Sequence, residues 1–514
     1  MSHSSRRQFL QHTALGAGLL ATSPLWASDA GDWSQTSFRP LPIPELISGE
    51  AQADGFHYYL RARHGETEFY PGQPTATMGL NGSYLGPTLQ VRQHEQVHIH
   101  VQNDLSEATT LHWHGMDLPA EEDGGPYQII QPGNAWTARY TVKNPAATCW
   151  YHSHMMHQTG RQVYHGLAGL LIVDDEHHRS LPLPRDYGVD DIPLILQDRL
   201  FDDQGQLSYP DRMDDHMVGM RGDVMVVNGV ISPTFIATTG RVRLRLLNAA
   251  NARAFTLAFS DGRHFDLIAT DLSLIEKPLT LETLMLSPGE RAEIVVDTLS
   301  TQPFTLVNLP VPSTYQAHFG LLSDLMRELD TQAFDVLTII PPAAAVPAAP
   351  ALPAQLNDID WLPEQDASYH RLIAMQMGEG QGNGGKRGGG PGARRERGGW
   401  GGGKHRINGR MMDMNFIEAS IVAGTTEIWE ITNDSPMMHP FHIHKVHFQI
   451  LDRNGEPPGE DERGYKDTVR VPPFGRVRVI ARFSGESNPH IPFMFHCHIL
   501  EHEDNGMMGQ FVIV

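Results

Sequence analysis

The feature that most constrains this 514-residue chain lies near its C-terminus: His496-Cys497-His498-Ile499-Leu500-Glu501-His502-Glu503-Asp504-Asn505-Gly506-Met507-Met508. One cysteine is flanked by histidines on both sides, and a further histidine and a methionine follow within one short loop. If Phe493 to His498 is a strand, alternation sends Cys497 to one face and His496 and His498 to the other. One peptide then touches two metal sites, with the cysteine as the covalent wire between them. Two imidazoles, a thiolate and a weak axial thioether are the ligand set of a blue-copper electron-transfer centre. Cys497 and His502 supply two of these ligands and Met507 the axial one. The second histidine has to come from elsewhere.

Four His-X-His pairs stand out: His112-Trp113-His114, His152-Ser153-His154, His442-Ile443-His444 and His496-Cys497-His498. A spacing of two on a strand puts both imidazoles of a pair on one face. Eight converging imidazoles fit a three-copper cluster, three on each of two ions and two on the third, because copper suits neutral imidazole. Two pairs come from the first third of the chain and two from the last, so the cluster is expected between those two regions. A fifth pair, His98 and His100, alternates with Val97, Ile99 and Val101. It reads as an amphipathic strand with its histidines outward.

The chain around these pairs is strand-rich. Residues 45–178, 185–343 and 365–514 share short β-type runs broken by Gly, Pro and Asn, such as Val97 to Val101, Arg241 to Leu247 and Glu427 to Ile431. No long helical period competes, so an all-β chain of three consecutive Greek-key β-sandwiches is expected. The middle sandwich holds almost no candidate ligands and reads as a spacer. Residues 344–364 read as a semi-rigid Pro/Ala-rich linker. Residues 378–403, rich in Gly and Arg, have no apolar content to fold on and read as a disordered loop. Residues 1–30 carry the pair Arg6-Arg7, a short apolar run and small residues near Ala27, the order of a twin-arginine export signal. A periplasmic protein follows from that reading, and a monomer is expected.

A formal charge of −21 argues against nucleic acid or an anionic membrane surface as partner and favours attraction of cations. There are two cysteines. With Cys497 committed to metal, no disulfide is expected, and Cys149 reads as a buried free thiol.

The motifs HWHG (112–115), HSH (152–154), HPFHIH (439–444) and HCHILEHEDNGMM (496–508) resemble the four copper signatures of the multicopper oxidases. The similarity runs over nearly the whole chain after residue 30. Thr148 to Gly169 and Asn248 to Arg253 resemble the bacterial copper efflux branch in particular. The resemblance implies three cupredoxin-like domains and four copper ions. It implies that His439, Cys497, His502 and the axial Met507 bind a type 1 copper. His112 and His442 then bind the type 2 copper, and His114, His152, His154, His444, His496 and His498 the binuclear type 3 pair. Asp123 and Glu503 match positions that deliver protons for dioxygen reduction in relatives. Acids near a buried site that makes water are also a chemical necessity.

The resemblance implies electron uptake through an exposed edge of His439 or His502. It implies cuprous ion as reductant, with phenolic compounds as the alternative. Met375, Met377, Met411, Met412, Met414, Met437 and Met438 lie where the copper efflux branch is Met-rich, and soft thioethers suit Cu(I). The Gly/Arg-rich stretch replaces most of that segment, and Ser435 stands where the branch has an Asp, with Asp434 one residue further out. A third class is a copper-free structural relative such as the cell-division protein of this fold, which lost its ligands. Here all the ligands are present.

Overall fold

The computed structural model describes residues 38–209, 213–310, 331–377, 405–485 and 487–514, and residues 39–514 form one packed unit. The expected export signal and the whole Gly/Arg-rich stretch, residues 378–403, lie outside the described residues. The described residues are mostly β-structure in six sheets, each burying one face against a partner, with a few short helices, among them Leu500–Asp504, which carries His502 and Glu503.

In the N-terminal region a sheet ordered Leu46–Ile47, Thr88–Arg92, Ala168–Asp174, Ala147–His152, His112–His114 stands over a second built on Gly55–Tyr70, Gln96–Asn103 and Ala135–Thr141. Tyr58, Leu60, Leu89, Val97, Ile99, Val101 and Tyr151 fill the space between them. The middle region packs a seven-stranded sheet on a five-stranded one around Leu244, Leu246, Phe255, Leu257 and Ile294. In the C-terminal region the sheet Ala419–Ile421, Met508–Ile513, Phe493–Cys497, His439–Ile443, Thr468–Val471 faces a sheet centred on Thr426–Asn433 and Arg476–Arg482. Trp429, Phe441, Phe495, Phe511 and Cys497 share that core. The fold is thus all-β and cupredoxin-like. Between Ile340 and Glu364 there is no strand or helix. Leu356 is buried in the middle core and its N–H donates to the Glu276 carbonyl (2.8 Å), so the linker is strapped down rather than free-standing.

Register places the motifs. His112 lies opposite His152 in an antiparallel pair, and His442 lies opposite His496, with Phe441 opposite Cys497. Of the four copper-motif pairs, only His112/His114 lies wholly on a strand. The strands end at His152, Ile443 and Cys497, so the other three pairs straddle a strand end. The expected strand over 493–498 stops one residue short. His498 then turns to donate its backbone N–H to Pro440 (2.7 Å).

Candidate metal centre

Eight buried histidines meet between the N-terminal and C-terminal regions, as the pair spacing anticipates. The imidazoles of His114 and His442 stack at 3.7 Å, and those of His112 and His444 at 3.9 Å. Most rings have one nitrogen tied to the protein. His112 Nδ1 donates to the Asp123 carbonyl (2.9 Å), His442 Nδ1 to the Asp467 carbonyl (2.9 Å) and His444 Nδ1 to Asp123 Oδ2 (2.7 Å). His152 and His496 donate to the carbonyls of Ser153 (2.8 Å) and Cys497 (3.0 Å). A ring that donates through one nitrogen presents a lone pair on the other, the arrangement that orients metal-binding imidazoles. The second nitrogens gather into His114/His152/His498, His154/His444/His496 and His112/His114/His442, each with donor atoms within 4.8 Å of one another. In the second set the Nε2 atoms converge to 3.2–3.3 Å.

These lone pairs have no protein partner. His112 Nε2, His152 Nε2, His442 Nε2, His114 Nδ1 and both nitrogens of His498 are buried without a hydrogen bond. Each such orphan costs about 1–3 kcal/mol, a cost that a bound cation removes, so the donor set fits copper. Burial, reinforced in most rings by neighbouring imidazoles, holds His114, His152, His154, His442, His444 and His498 well below the ordinary histidine pKa, and His496 at about 3. Those seven rings are therefore neutral, the form that ligates.

A second pocket lies in the C-terminal core. His439 Nδ1 is 3.3 Å from Cys497 Sγ, His502 Nδ1 is 3.6 Å from it, and the two ring nitrogens are 3.2 Å apart. Met507 is fully buried in the same core and donates its N–H chain-locally to the His502 carbonyl (2.9 Å), while its own carbonyl accepts from Cys497 N–H (3.0 Å). Burial pushes the Cys497 thiol well up and holds His439 down at about 3. A cation against Sγ reverses the first effect, since the thiolate is the metal-binding form.

The expected exposed edge is absent. His439 and His502 are both fully buried. His439 Nε2 contacts Ser435 Oγ at 2.7 Å, and His502 Nε2 donates to the Met217 carbonyl (3.1 Å) while His405 stacks on its ring at 4.1 Å. Ser435 therefore serves His439 rather than the surface. Met375 and Met437 are core residues, while Met411 and Asp434 are exposed.

Both expected acids reach the histidines. Asp123 accepts from His444, and the Glu503 carboxyl lies 3.3 Å from the Nδ1 atoms of both His154 and His496. All three of these rings belong to one set. Burial first, and the neighbouring Asp504, raise the Glu503 pKa well above the ordinary carboxylate range. A third acid, Asp467, escapes sequence reasoning. Its Oδ1 accepts from His114 Nε2 (3.1 Å) and its carbonyl from His442, and Arg291 donates to both carboxylate oxygens (2.7 and 2.6 Å). No local signal marks Asp467, because its partners lie 353 and 176 residues away.

Arg291 belongs to the middle region, which is therefore more than a spacer. That region also supplies the Met217 carbonyl on His502. Asn251 Nδ2 and Met220 N–H hold Glu501 at 2.7 and 2.9 Å. A Cβ on Gly289, whose φ is +84°, would stand 2.8 Å from the His498 ring, so this turn presses on the cluster. Both cysteines are free and buried, with Cys149 pushed up to about 12 by burial.

Fold and donor set define a class: cupredoxin-like sandwiches carrying a His₂Cys pocket joined by one tripeptide to an eight-histidine cluster. Multicopper oxidase family models match residues 61–178, 190–320 and 392–514. The chain is 35% identical over 475 residues to "multicopper oxidase mco" of Staphylococcus aureus, covering 91% of each chain. It is 34% identical over 510 residues to the cell division protein FtsP of Escherichia coli, covering 99% of this chain and 98% of that one. Among solved structures it is similar to a laccase-like multi-copper oxidase, CueO, of the lignin-degrading Ochrobactrum sp. That match has a TM-score of 0.80 at 34% identity and covers 92% of this chain and 100% of that one. A metallo-oxidase from Campylobacter jejuni matches with a TM-score of 0.74 at 26% identity, covering 93% and 99%. The chain belongs to the multicopper oxidase family.

Proposed function

We propose that this chain is a copper-dependent oxidase that withdraws electrons singly from a small reductant and passes four of them to dioxygen, giving water. The observation that carries the reading is Cys497: its thiol lies in the His439/His502 pocket while its two chain neighbours, His496 and His498, face the cluster. His439, Cys497 and His502, with Met507 beside them, would hold the type 1 copper. His112 and His442 would hold the type 2 ion. The sets His114/His152/His498 and His154/His444/His496 hold the type 3 pair, a division supported by the grouping of their free nitrogens. Bound there, copper supplies one-electron redox at the pocket and dioxygen reduction at the cluster.

The protein's own groups do the rest. Cys497 provides a through-bond path of one residue to either cluster histidine. Asp123 and Glu503 stand against the ring nitrogens of His444, His154 and His496, where carboxyl groups hand on the protons that water formation consumes. Asp467, locked by Arg291, keeps His114 in the tautomer that frees Nδ1.

Cuprous ion is the reductant favoured here. Met217, His405 and Ser435 cover the pocket, so a donor works across a protein layer rather than by stacking on a ligand ring. Met217 and Met377 are half-buried against the same core, Met438 adjoins His439, and the exposed Asp434 adds a carboxylate. Soft sulfur donors at the surface suit Cu(I). Phenol oxidation is the second reading, favoured by the similarity to the laccase-like enzyme, which has oxidase activity towards lignin model compounds. Similarity to FtsP alone does not separate an oxidase from a structural protein, and the complete ligand set here supports the oxidase. The Arg6-Arg7 segment supports periplasmic location by twin-arginine export, with the chain acting as a monomer in copper tolerance. Among the described residues no helix is long and apolar enough to cross a membrane.

The test is oxygen consumption by the copper-loaded protein with Cu(I) and with dimethoxyphenol. Rapid uptake with Cu(I) and slow uptake with phenol is expected. The reverse order moves the assignment to a laccase, and no uptake with either reductant refutes oxidase activity.

A further inference from the structure

The pair that alternation turns outward, His98 and His100, belongs to a second histidine group that shares no residue with the copper motifs. Strand Gln96–Asn103 pairs in parallel with Gly55–Tyr70, and the register sets His57 beside His98. Alternation turns Val97, Ile99 and Val101 into the sandwich core and puts His98 and His100 on its outer surface. There they are not simply solvated. His57 and His98 are only 8% and 9% exposed. The His57 ring stacks on His98 at 4.5 Å and on His100 at 5.2 Å. Asp54, in the turn before the strand, faces them: its Oδ1 is 2.9 Å from His57 Nε2, its Oδ2 is 3.8 Å from His98 Nε2, and its carbonyl is 3.0 Å from that same nitrogen.

We propose that Asp54, His57 and His98 form a binding site for one borderline divalent cation, of the Zn(II) or Cu(II) class, separate from the family's copper centre. The donor atoms of the three residues lie within 4.8 Å of one another, and imidazole with carboxylate suits this class of ion. The Asp54 side chain is 63% exposed, which leaves positions open to water.

The surrounding hydrogen bonds are arranged to tolerate the exchange. Without a cation, both Nε2 atoms carry protons towards Asp54. His57 Nδ1 then accepts from His100 Nε2 (2.9 Å), and His100 Nδ1 accepts from the Thr137 hydroxyl (3.0 Å). A cation that displaces the His57 Nε2 proton requires the other tautomer. The His57–His100–Thr137 chain then reverses direction with every bond kept, because imidazole and hydroxyl both donate and accept. His100 is thus a positioning residue for His57, of the kind that supports metal-ligating histidines. Arg139, opposite His98 on the neighbouring strand, is the one facing cation named by the register, and its backbone N–H is held by Glu122 (2.9 Å).

The experiment titrates Zn(II), and separately Cu(II), into tag-free, copper-loaded full-length protein, following heat and bound metal by mass spectrometry. One ion per chain beyond the copper complement is expected. Asp54→Asn, an exposed change that leaves the fold alone, lowers affinity by at least tenfold. His98→Ala abolishes binding, and His100→Ala weakens it about 10- to 100-fold. Blue colour and oxygen uptake stay at wild-type levels in all three variants. No extra ion in the wild type, or equal uptake by wild type and Asp54→Asn, overturns the proposal.

Discussion

The pocket around Cys497 and the eight-histidine cluster share a tripeptide but are walled differently. The pocket sits in an apolar core with Phe441, Phe495, Ile499 and Met507, and among the polar contacts of its ligand rings are a hydroxyl, Ser435, and a carbonyl, Met217. The cluster is walled by carboxylates: Asp123, Asp467 and Glu503 each stand against at least one of its rings. The contrast follows from what each site moves. A one-electron relay needs no proton, and an apolar wall keeps water and stray protons away. Reduction of dioxygen to water consumes protons, so its site has to be lined with groups that hold them. Desolvation raises a buried carboxyl pKa, and burial pushes Glu503 in that direction.

Variants can break this comparison. The largest effect is expected from Cys497→Ser, which removes the wire. Blue colour and turnover disappear, while copper analysis and electron paramagnetic resonance still find the cluster ions. Turnover retained in that variant would contradict the wiring. Asp123→Asn should slow oxygen reduction by about 10²- to 10⁴-fold, the usual contribution of a positioned proton donor, with the pocket still reducible in anaerobic stopped-flow. Equal re-oxidation rates in wild type and variant would remove Asp123 from proton delivery. Asp467→Ala should weaken cluster copper about 10- to 100-fold. It should also destabilise the fold by about 3–5 kcal/mol, since Arg291 is left buried without its main partner; chelator titration and thermal melts read the two effects. Ser435→Ala should be the mildest, costing about 1 kcal/mol for one hydrogen bond. The blue band should persist with turnover within a few-fold of wild type, and a colourless protein would show that Ser435 does more than orient His439.

Much of this was legible from residue spacing because the chemistry is written in local motifs. The period of two separates Cys497 from His496 and His498, and the four pairs converge between the first and last regions as expected. What stayed hidden depends on long-range contact. Asp467 lies next to His114 only because two sandwiches dock, and Arg291 reaches it from a region that looked empty of ligands. The exposed edge expected for His439 or His502 fails for the same reason. Met217 and His405 come from segments with no motif, and only packing brings them over the pocket. Alternation puts His98 and His100 on an outer strand face. Their contact with His57 and Asp54 required the parallel register, which hydrophobic alternation alone does not specify.

The most direct test of the account is the ratio of reductant oxidised to dioxygen consumed by copper-loaded protein, measured together with hydrogen peroxide. A cluster fed singly through Cys497 predicts four electrons per dioxygen and no peroxide. A ratio near two, with peroxide accumulating, would mean that dioxygen is reduced outside the eight-histidine cluster and would contradict the central claim.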